Sequence, residues 1–173
     1  MPEDDLLAAR LERLLAEDEI RQLSHRYALA VDQGDLVAWR DLWTDDAVME
    51  RGYRPPAQLE DIVQIPEIQL RRYAKTWHGI QTQNIRLMDE TSAEGDVYCI
   101  ARHVYTDSHN QPGSLPFSLV HDVLIRYADQ YRKTDDGRWR FASRNLTIDL
   151  REVRQVTLVD HEVDLSEITP RIF

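Results

Sequence analysis

Apolar positions in the first part of the chain recur at the spacing of a helix. Between residues 6 and 31 they fall three or four positions apart, with charged residues between them. That period is typical of an amphipathic helix, so we predict one long or once-broken helix over this range. The apolar positions are Leu7, Leu11, Leu14 or Leu15, Ile20, Leu23, Tyr27 and Val31.

Gly34 and Asp35 mark the end of this helix and the start of a second one. Glycine accepts the left-handed conformation common just past a helix, and an aspartate side chain caps the next helix by accepting from its first amides. We then predict a short strand at residues 47–51 and a helical stretch at 59–76 that is interrupted near Pro66. The apolar positions of the short second helix are Leu36, Trp39, Leu42 and Trp43.

From Trp77 onward the chain is rich in Ile, Val, Tyr and Thr, which favour strands. Turn-forming residues divide it into segments, and the connections are too short for parallel crossovers, so consecutive strands should pair antiparallel. The predicted strands are residues 78–88, 96–106, 117–133 and 138–150.

This order of elements predicts an α+β fold in one domain, residues 1–173. The N-terminal helices should pack against a curved, mostly antiparallel sheet, forming a cone that encloses a cavity. Residues 151–173 mix apolar and charged positions, and we expect a C-terminal tail that is either an edge strand or a dimer arm. Strand 96–106 is apolar on both alternating faces, so we also expect a homo-oligomer, most simply a dimer on the outer face of the sheet.

Composition and charge narrow the classes of function. The chain has 173 residues and a net charge of −10, which argues against nucleic acid as a partner. No apolar run approaches the roughly 20 residues that span a bilayer, and the first residues are acidic where a signal peptide would be basic. The single cysteine, Cys99, fits a reducing compartment, so we expect a cytoplasmic protein with no membrane contact.

The sequence also argues against metal and nucleotide chemistry. None of the histidines has a zinc-ligand spacing, and the six glycines form neither a phosphate loop nor a nucleophile turn. We therefore expect no cofactor and no metal, which leaves proton transfer by side chains. The histidines are His25, His78, His103, His109, His121 and His161.

Asp32 is the first candidate for such chemistry. It lies in the last turn of the predicted first helix, where the helix dipole disfavours a carboxylate by about 0.3–1 kcal/mol. A histidine from the facing sheet would offset that cost, and the carboxylate would orient the imidazole as a base. Alternatively, Asp32 simply begins the turn at residues 32–35.

Two segments resemble SnoaL-like proteins of the NTF2-like superfamily. The first comprises EIRQL at 19–23, Tyr27, DQGD at 32–35 and LWTDDAV at 42–48. The second comprises RYAD at 126–129 and DGRWRF at 136–141, followed by Arg144 and Asp149. Within the superfamily the chain most resembles the branch of scytalone dehydratase, bile acid 7α-dehydratase and hexachlorocyclohexane dehydrochlorinase.

The resemblance implies catalytic roles at five positions. Asp32 and His78 match the aspartate–histidine pair that serves as the base. Tyr27 matches a position that presents a polar group to the substrate, Arg144 an arginine that stabilises negative charge, and His103 a second histidine that assists the leaving group. Tyr27 could equally be a core tyrosine and His103 a buried structural histidine.

Strand parity adds one condition. Arg144 has the opposite parity to Trp139 and Phe141, so it can turn inward with them only if the strand contains a bulge. We interpret His121 as a possible cavity residue. All four tryptophans are predicted in the core or the cavity wall: Trp39, Trp43, Trp77 and Trp139.

These expectations combine into one functional hypothesis. The protein would be a cofactor-independent lyase of the dehydratase type, or an isomerase, acting on an apolar and cyclic small molecule. His78, held by Asp32, would remove a proton. The alternative is a module of the same fold that binds a small molecule without turnover or serves only in dimerisation.

Overall fold

Helices and short strands occupy the first part of the chain, and four long strands occupy the rest. The computed structural model describes residues 3–52, 54–105 and 117–157. The elements are α1 (Glu3–Gln33), α2 (Leu36–Asp41), β1 (Trp43–Glu50), β2 (Ala57–Gln58), α3 (Leu59–Ile62), α4 (Ile65–Arg72), β3 (Tyr73–Leu87), β4 (Ser92–Tyr105), β5 (Phe117–Lys133) and β6 (Trp139–Thr157).

The strands form one six-stranded mixed sheet in the order β2-β1-β6-β5-β4-β3, which does not close into a barrel. Strands β3 to β6 pair antiparallel in sequence order, as predicted. Strand β1 runs parallel to β6, which is possible because the whole meander separates them in sequence. Helix α1 packs across the sheet against β3. The α+β architecture, with helices on a curved and mostly antiparallel sheet, is confirmed.

The predicted helical stretch at 59–76 is wrong at its end. Strand β3 already begins at Tyr73, where the chain extends to pair with β4. The interruption near Pro66 is confirmed, because α3 ends at Ile62 and α4 begins at Ile65. Pro66 itself lies in the first turn of α4, where the amide that proline lacks would have no partner.

The first half of α1 is helical, but its apolar side chains are not buried. Leu7, Leu11 and Leu14 are exposed, whereas Ile20 and Leu23 are buried against the sheet. The N-terminal half of α1 therefore extends beyond the sheet. The helical spacing of apolar residues corresponds to buried core positions only in the second half of α1.

Three of the four tryptophans lie in the core, and the prediction for Trp77 is wrong. Trp39, Trp43 and Trp139 are buried, but Trp77 is 65% exposed. Side chains alternate between faces along a strand, and the neighbouring His78 points inward, so Trp77 points outward opposite Arg102.

Strand β6 contains two register shifts against β5. Tyr131 pairs with Phe141 but Gln130 pairs with Ser143, so one extra residue lies between them. A second shift separates the pairs that flank residue 149. The first shift reverses the parity of the strand and turns Arg144 inward, which is the bulge that the sequence required.

Arg144 forms a buried ion pair with Asp129 of β5. Its Nε and one terminal nitrogen donate to the two carboxylate oxygens at 2.7 Å each, and both side chains are fully buried. Tyr131 also donates its hydroxyl to Asp129. Burial alone would lower the pKa of Arg144, but the carboxylate outweighs it, so the guanidinium stays charged.

No helix within the described ranges is long and apolar enough to cross a membrane. Residues 151–157 continue β6, and residues 158–173 lie outside the described part of the chain, as do His109 and His161. The single-domain interpretation and the dimer-arm interpretation of the tail stay predictions.

Two bidentate Arg–Asp pairs join β5 to β6, and they should contribute differently to the free energy of unfolding. The Arg126–Asp149 pair is exposed, whereas Arg144–Asp129 is not. We expect Asp129→Ala to lower the free energy of unfolding by about 3–5 kcal/mol, because it leaves a buried guanidinium without a counter-charge. Asp149→Ala, the matched control, should cost about 0–1 kcal/mol. Urea denaturation measures both, and equal losses would contradict the assignment of Arg144–Asp129 as a core pair.

Candidate active site

The site is built around a contact between the end of α1 and the start of β3. His78 Nδ1 lies 2.7 Å from Asp32 Oδ1, and the His78 backbone amide donates to Asp32 Oδ2 at 2.8 Å. The Thr76 hydroxyl donates to Oδ1 at 2.8 Å. Three groups of β3 therefore hold one carboxylate in the last turn of α1.

This contact sets the tautomer of the neutral imidazole. A carboxylate only accepts hydrogen bonds, so Nδ1 of His78 carries the proton that it donates to Asp32. In the neutral ring Nε2 then holds the free electron pair. An aspartate that fixes one nitrogen and leaves the other basic is the arrangement used by histidine general bases.

Asp32 remains a carboxylate in spite of its position. Burial would by itself raise its pKa, but the hydrogen bonds and charge of His78 and the hydrogen bond from Thr76 lower the pKa below its usual value. These contacts offset the unfavourable interaction of the carboxylate with the helix dipole at the C-terminal end of α1.

His78 lines a cavity of about 210 Å³ between the sheet, the connection from β1 to β2 and helix α4. The polar part of its wall consists of tyrosines, histidines, arginines and Gln69, which surround an otherwise aliphatic interior. A cavity of this kind suits a mainly apolar ligand with few polar groups. The aliphatic wall includes Met49, Ile65, Ile68, Val123, Ile125, Leu146 and Ile148.

Tyr27 faces this cavity from α1, and Arg144 lies behind it. The Tyr27 ring centroid is 6.3 Å from that of His78. The Arg144 guanidinium carbon lies 4.1 Å from the centroid of Tyr27, 3.9 Å from that of Tyr127 and 4.3 Å from that of Phe141. Arg144 is fully buried and is not among the residues that line the cavity, so any effect it has on a ligand passes through the tyrosines.

Arg144 also acts on the ionisation of Tyr27. Burial raises the pKa of Tyr27, and the charge and hydrogen bonding of Arg144 partly counter that rise. A tyrosine backed by a cation is a stronger hydrogen-bond donor than one in an apolar pocket.

His103 and His121 continue the polar wall from His78. The ring centroids of His78 and His103 are 5.6 Å apart, and those of His103 and His121 are 5.8 Å apart. His103 Nδ1 lies 3.4 Å from the carbonyl oxygen of His121. In the described residues no group of three or more His, Cys, Asp or Glu side chains is arranged to hold a metal ion.

The five residues predicted from the sequence therefore lie in one region of the structure, but they differ in their distance from the cavity. Asp32, His78, Tyr27 and His103 lie at or directly behind the cavity wall, and Arg144 lies deeper. Tyr127 and the arginines of the cavity were not predicted from the sequence. The alternation of Val123, Ile125 and Tyr127 along β5 was the available signal for Tyr127.

Comparison with known families and structures agrees with this fold. The sequence profile of the SnoaL-like domain family matches residues 12–145. No curated protein sequence matches the chain.

Several solved structures share the fold at low sequence identity. Hexachlorocyclohexane dehydrochlorinase LinA-type3 from Novosphingobium barchaimii LL02 is 16% identical with a TM-score of 0.71, over 84% of this chain and 94% of that chain. The type 2 form of that dehydrochlorinase is 15% identical with a TM-score of 0.75, over 89% and 99%. A Novosphingobium aromaticivorans DSM 12444 protein provisionally named scytalone dehydratase is 20% identical with a TM-score of 0.71, over 82% and 89%.

The burial of His103 has a consequence for stability against pH. Burial, and next the neighbouring His78, lower the pKa of His103 to about 4 from the 6.5 of a free side chain. Between these values the unfolded chain binds more protons than the folded protein, so this residue lowers the free energy of unfolding as the pH falls.

We expect His103→Gln to lose less of its free energy of unfolding than the wild type between pH 6.5 and pH 4. Urea denaturation at stepped pH measures the difference. His25→Gln, at an exposed position of α1, is the control and should keep the wild-type pH dependence. The same pH dependence in all three proteins would contradict a buried, neutral His103.

Proposed function

The chain belongs to the SnoaL-like domain family, and on that premise we propose that it is a cofactor-independent lyase of the dehydratase type or an isomerase. Its substrate is a mainly apolar, cyclic small molecule. The observation that carries the proposal is the 2.7 Å contact of Asp32 with His78 at the wall of an aliphatic cavity. The names of the dehydrochlorinases and the dehydratase with the same fold agree with an elimination.

The first step is removal of a proton from carbon. His78 Nε2 takes a proton from a C–H group next to a carbonyl or similar activating group, and the electron pair of that bond moves toward the activating oxygen. Asp32 stabilises the imidazolium that forms and keeps the ring oriented.

The second requirement is stabilisation of the negative charge on that oxygen. Tyr27 lines the cavity beside His78 and donates its hydroxyl hydrogen to the oxyanion. Arg144 strengthens this donor from behind without touching the substrate, so Arg144 is a positioning residue.

The last step returns the proton. In an elimination, the electron pair of the oxyanion re-forms the carbonyl, the pair of the enolate double bond moves to form the new bond between the α and β carbons, and the β carbon loses its hydroxyl; the departing hydroxide takes the proton from the His78 imidazolium and leaves as water. In an isomerisation, the same proton returns to another carbon. His103, with a pKa of about 4, is neutral near pH 7 and lines the leaving-group side as a hydrogen-bonding group rather than as a proton reservoir.

Proton abstraction can be tested before the natural substrate is known. We expect the wild type to exchange the α-proton of some members of a panel of cyclic β-hydroxy ketones in D₂O, followed by proton NMR. His78→Ala should slow the exchange by about 10²–10⁴, the usual worth of a general base. Asp32→Asn should slow it in the same direction, and the double variant should be scarcely slower than either single one, because the two residues act as a unit.

His25→Ala, on the exposed face of α1, is the matched control and should exchange at the wild-type rate. The melting temperature of each variant separates lost chemistry from lost folding. Wild-type exchange in His78→Ala would eliminate this mechanism. Unfolding of both His78→Ala and His78→Gln would instead favour a structural tie between α1 and β3.

We further propose that the protein assembles through the outer face of its sheet. Ile100, Leu124 and Leu150 are exposed and aligned in register across β4, β5 and β6. The ion pairs Arg102–Asp122 and Arg126–Asp149 flank this row on either side. An apolar row with a charged border is the usual make-up of a protein interface.

Light scattering at micromolar concentration should therefore give a mass above that of the monomer. Leu124→Glu places a charge in the middle of the apolar row and should shift the protein to monomer. Val37→Glu, at an exposed apolar position on α2, should not change the mass. A monomeric wild type would exclude the interface.

A further inference from the structure

The N-terminal half of α1 presents a row of leucines on the side that faces away from the sheet. This leucine row consists of Leu7, Leu11, Leu14 and Leu15, each of which is 55–67% exposed. At about 3.6 residues per turn, the row lies roughly 180° around the helix axis from Tyr27, which is buried against the sheet. The row would therefore stay exposed even where the helix lies over its own domain.

A continuous row of this kind indicates a contact with another helix. Single exposed leucines are ordinary on protein surfaces, whereas contiguous apolar side chains mark interaction sites. Leu7, Leu11 and Leu14 are separated by four and then three residues. Alternating steps of three and four are the spacing by which two helices pack side by side along one seam. The partner that this spacing fits is a second helix with a matching row.

Charged residues continue the seam and decide which second helix fits. Asp4, Asp18 and Arg21 keep the same spacing before and after the leucines. In a parallel pair of two copies each of them would meet itself, so like charges would oppose one another at three levels. An antiparallel pair with Leu11 of each copy opposite Leu14 of the other instead places Asp4 opposite Arg21. The charges of this helix therefore complement those of a second copy in the antiparallel direction.

The flanks of the seam agree with this pair. Arg10 and Glu17 border the seam on one side, and the antiparallel pair brings Arg10 of each copy next to Glu17 of the other. Asp18 then meets Leu7 and makes no ion pair across the contact. Sliding the helices by one heptad, so that Leu7 lies opposite Leu11, would instead bring the two copies of Arg10 together. One alignment is therefore favoured over its neighbour.

We propose that α1 of two copies of this protein pair antiparallel through the leucine row, with Leu11 of each copy opposite Leu14 of the other. This contact is separate from the proposed contact through the outer face of the sheet. It is also small beside the roughly 1,200–2,000 Å² of a stable interface. We therefore expect α1 to pair at submillimolar rather than micromolar concentration.

Disulfide trapping tests the pairing and its direction. Asp4→Cys and Arg21→Cys are made in separate copies of the Leu124→Glu protein, so that the proposed sheet contact does not hold the copies together. In a glutathione redox buffer, the mixed variants should form at least about tenfold more covalent dimer than either variant alone, because a disulfide needs Cα atoms within about 7 Å. The native thiol does not interfere, since Cys99 is buried and burial raises its pKa to about 11.

Asp5→Cys mixed with Arg21→Cys is the matched control. Asp5 is exposed like Asp4, but it lies about 100° further around the helix and away from the seam. This mixture should give little covalent dimer. Cross-linking of Asp4→Cys with itself would show a parallel pair and overturn the proposal. Equal cross-linking in the control mixture would show random collision and would overturn it as well.

Sedimentation equilibrium of the Leu124→Glu protein at submillimolar concentration checks the contact without cross-links. Adding Leu11→Glu should leave monomer, whereas adding Val37→Glu, at an exposed apolar position of α2, should leave the dimer. Arg10→Glu should weaken dimerisation about tenfold, because attraction becomes repulsion at two symmetric places. Glu17→Arg in the same chain should restore it.

A dimer that persists in Leu11→Glu, or a Leu124→Glu protein that is monomeric at every concentration, would contradict the pairing. The melting temperature of each variant shows that it is folded. Among the described residues, Tyr27 is the residue of α1 that lines the cavity. The leucine row lies elsewhere, so its failure would leave the proton-transfer proposal standing.

Discussion

The arrangement of the protein interior depends on the buried ion pair between Arg144 and Asp129. A guanidinium with no access to water must have its counter-charge at hydrogen-bond distance, so β5 and β6 are held in the one register that brings the two side chains together. The same guanidinium lies within 4.3 Å of three ring centroids, those of Tyr27, Tyr127 and Phe141. Through Tyr27 it ties the sheet to α1, and α1 carries Asp32.

Asp32 connects that core to His78, the proposed base. Its carboxylate accepts from two side chains and one backbone amide of β3, so the orientation of His78 depends on how α1 lies on the sheet. The proposed base is thus held in place by the same packing that holds the core. The imidazole, the tyrosines and the arginines line the cavity, and Asp32, which orients the imidazole, is not among the lining residues.

Alternation along β6, interrupted at its two register shifts against β5, separates two kinds of charge. On the outer face arginines and aspartates meet in exposed pairs such as Arg126–Asp149, which contribute little to stability. On the inner face the register shifts of β6 bring in Arg144, which is neutralised by Asp129, and Arg151, which lines the cavity. Strand β6 therefore supplies one cation to the core and one to the cavity wall, in both cases through a register shift against β5.

The sequence by itself determined most of the elements, because helical and strand periods depend on neighbouring residues alone, but it missed β2 and extended the helical stretch of 59–76 into β3. The bounds of β5 and the long first helix follow from local pattern. The resemblance of residues near Asp32 and Arg144 indicated the candidate site, and strand parity then showed that an inward Arg144 needs a bulge. Only the tertiary structure decided which side chains face what. Leu7 and Leu11 repeat like core residues but extend past the sheet, and Trp77 points outward because His78 points in. Whether Arg144 touches a ligand or lies behind Tyr27, and whether Arg151 enters the cavity, depends on register shifts and on strand partners distant in sequence, which no local period encodes.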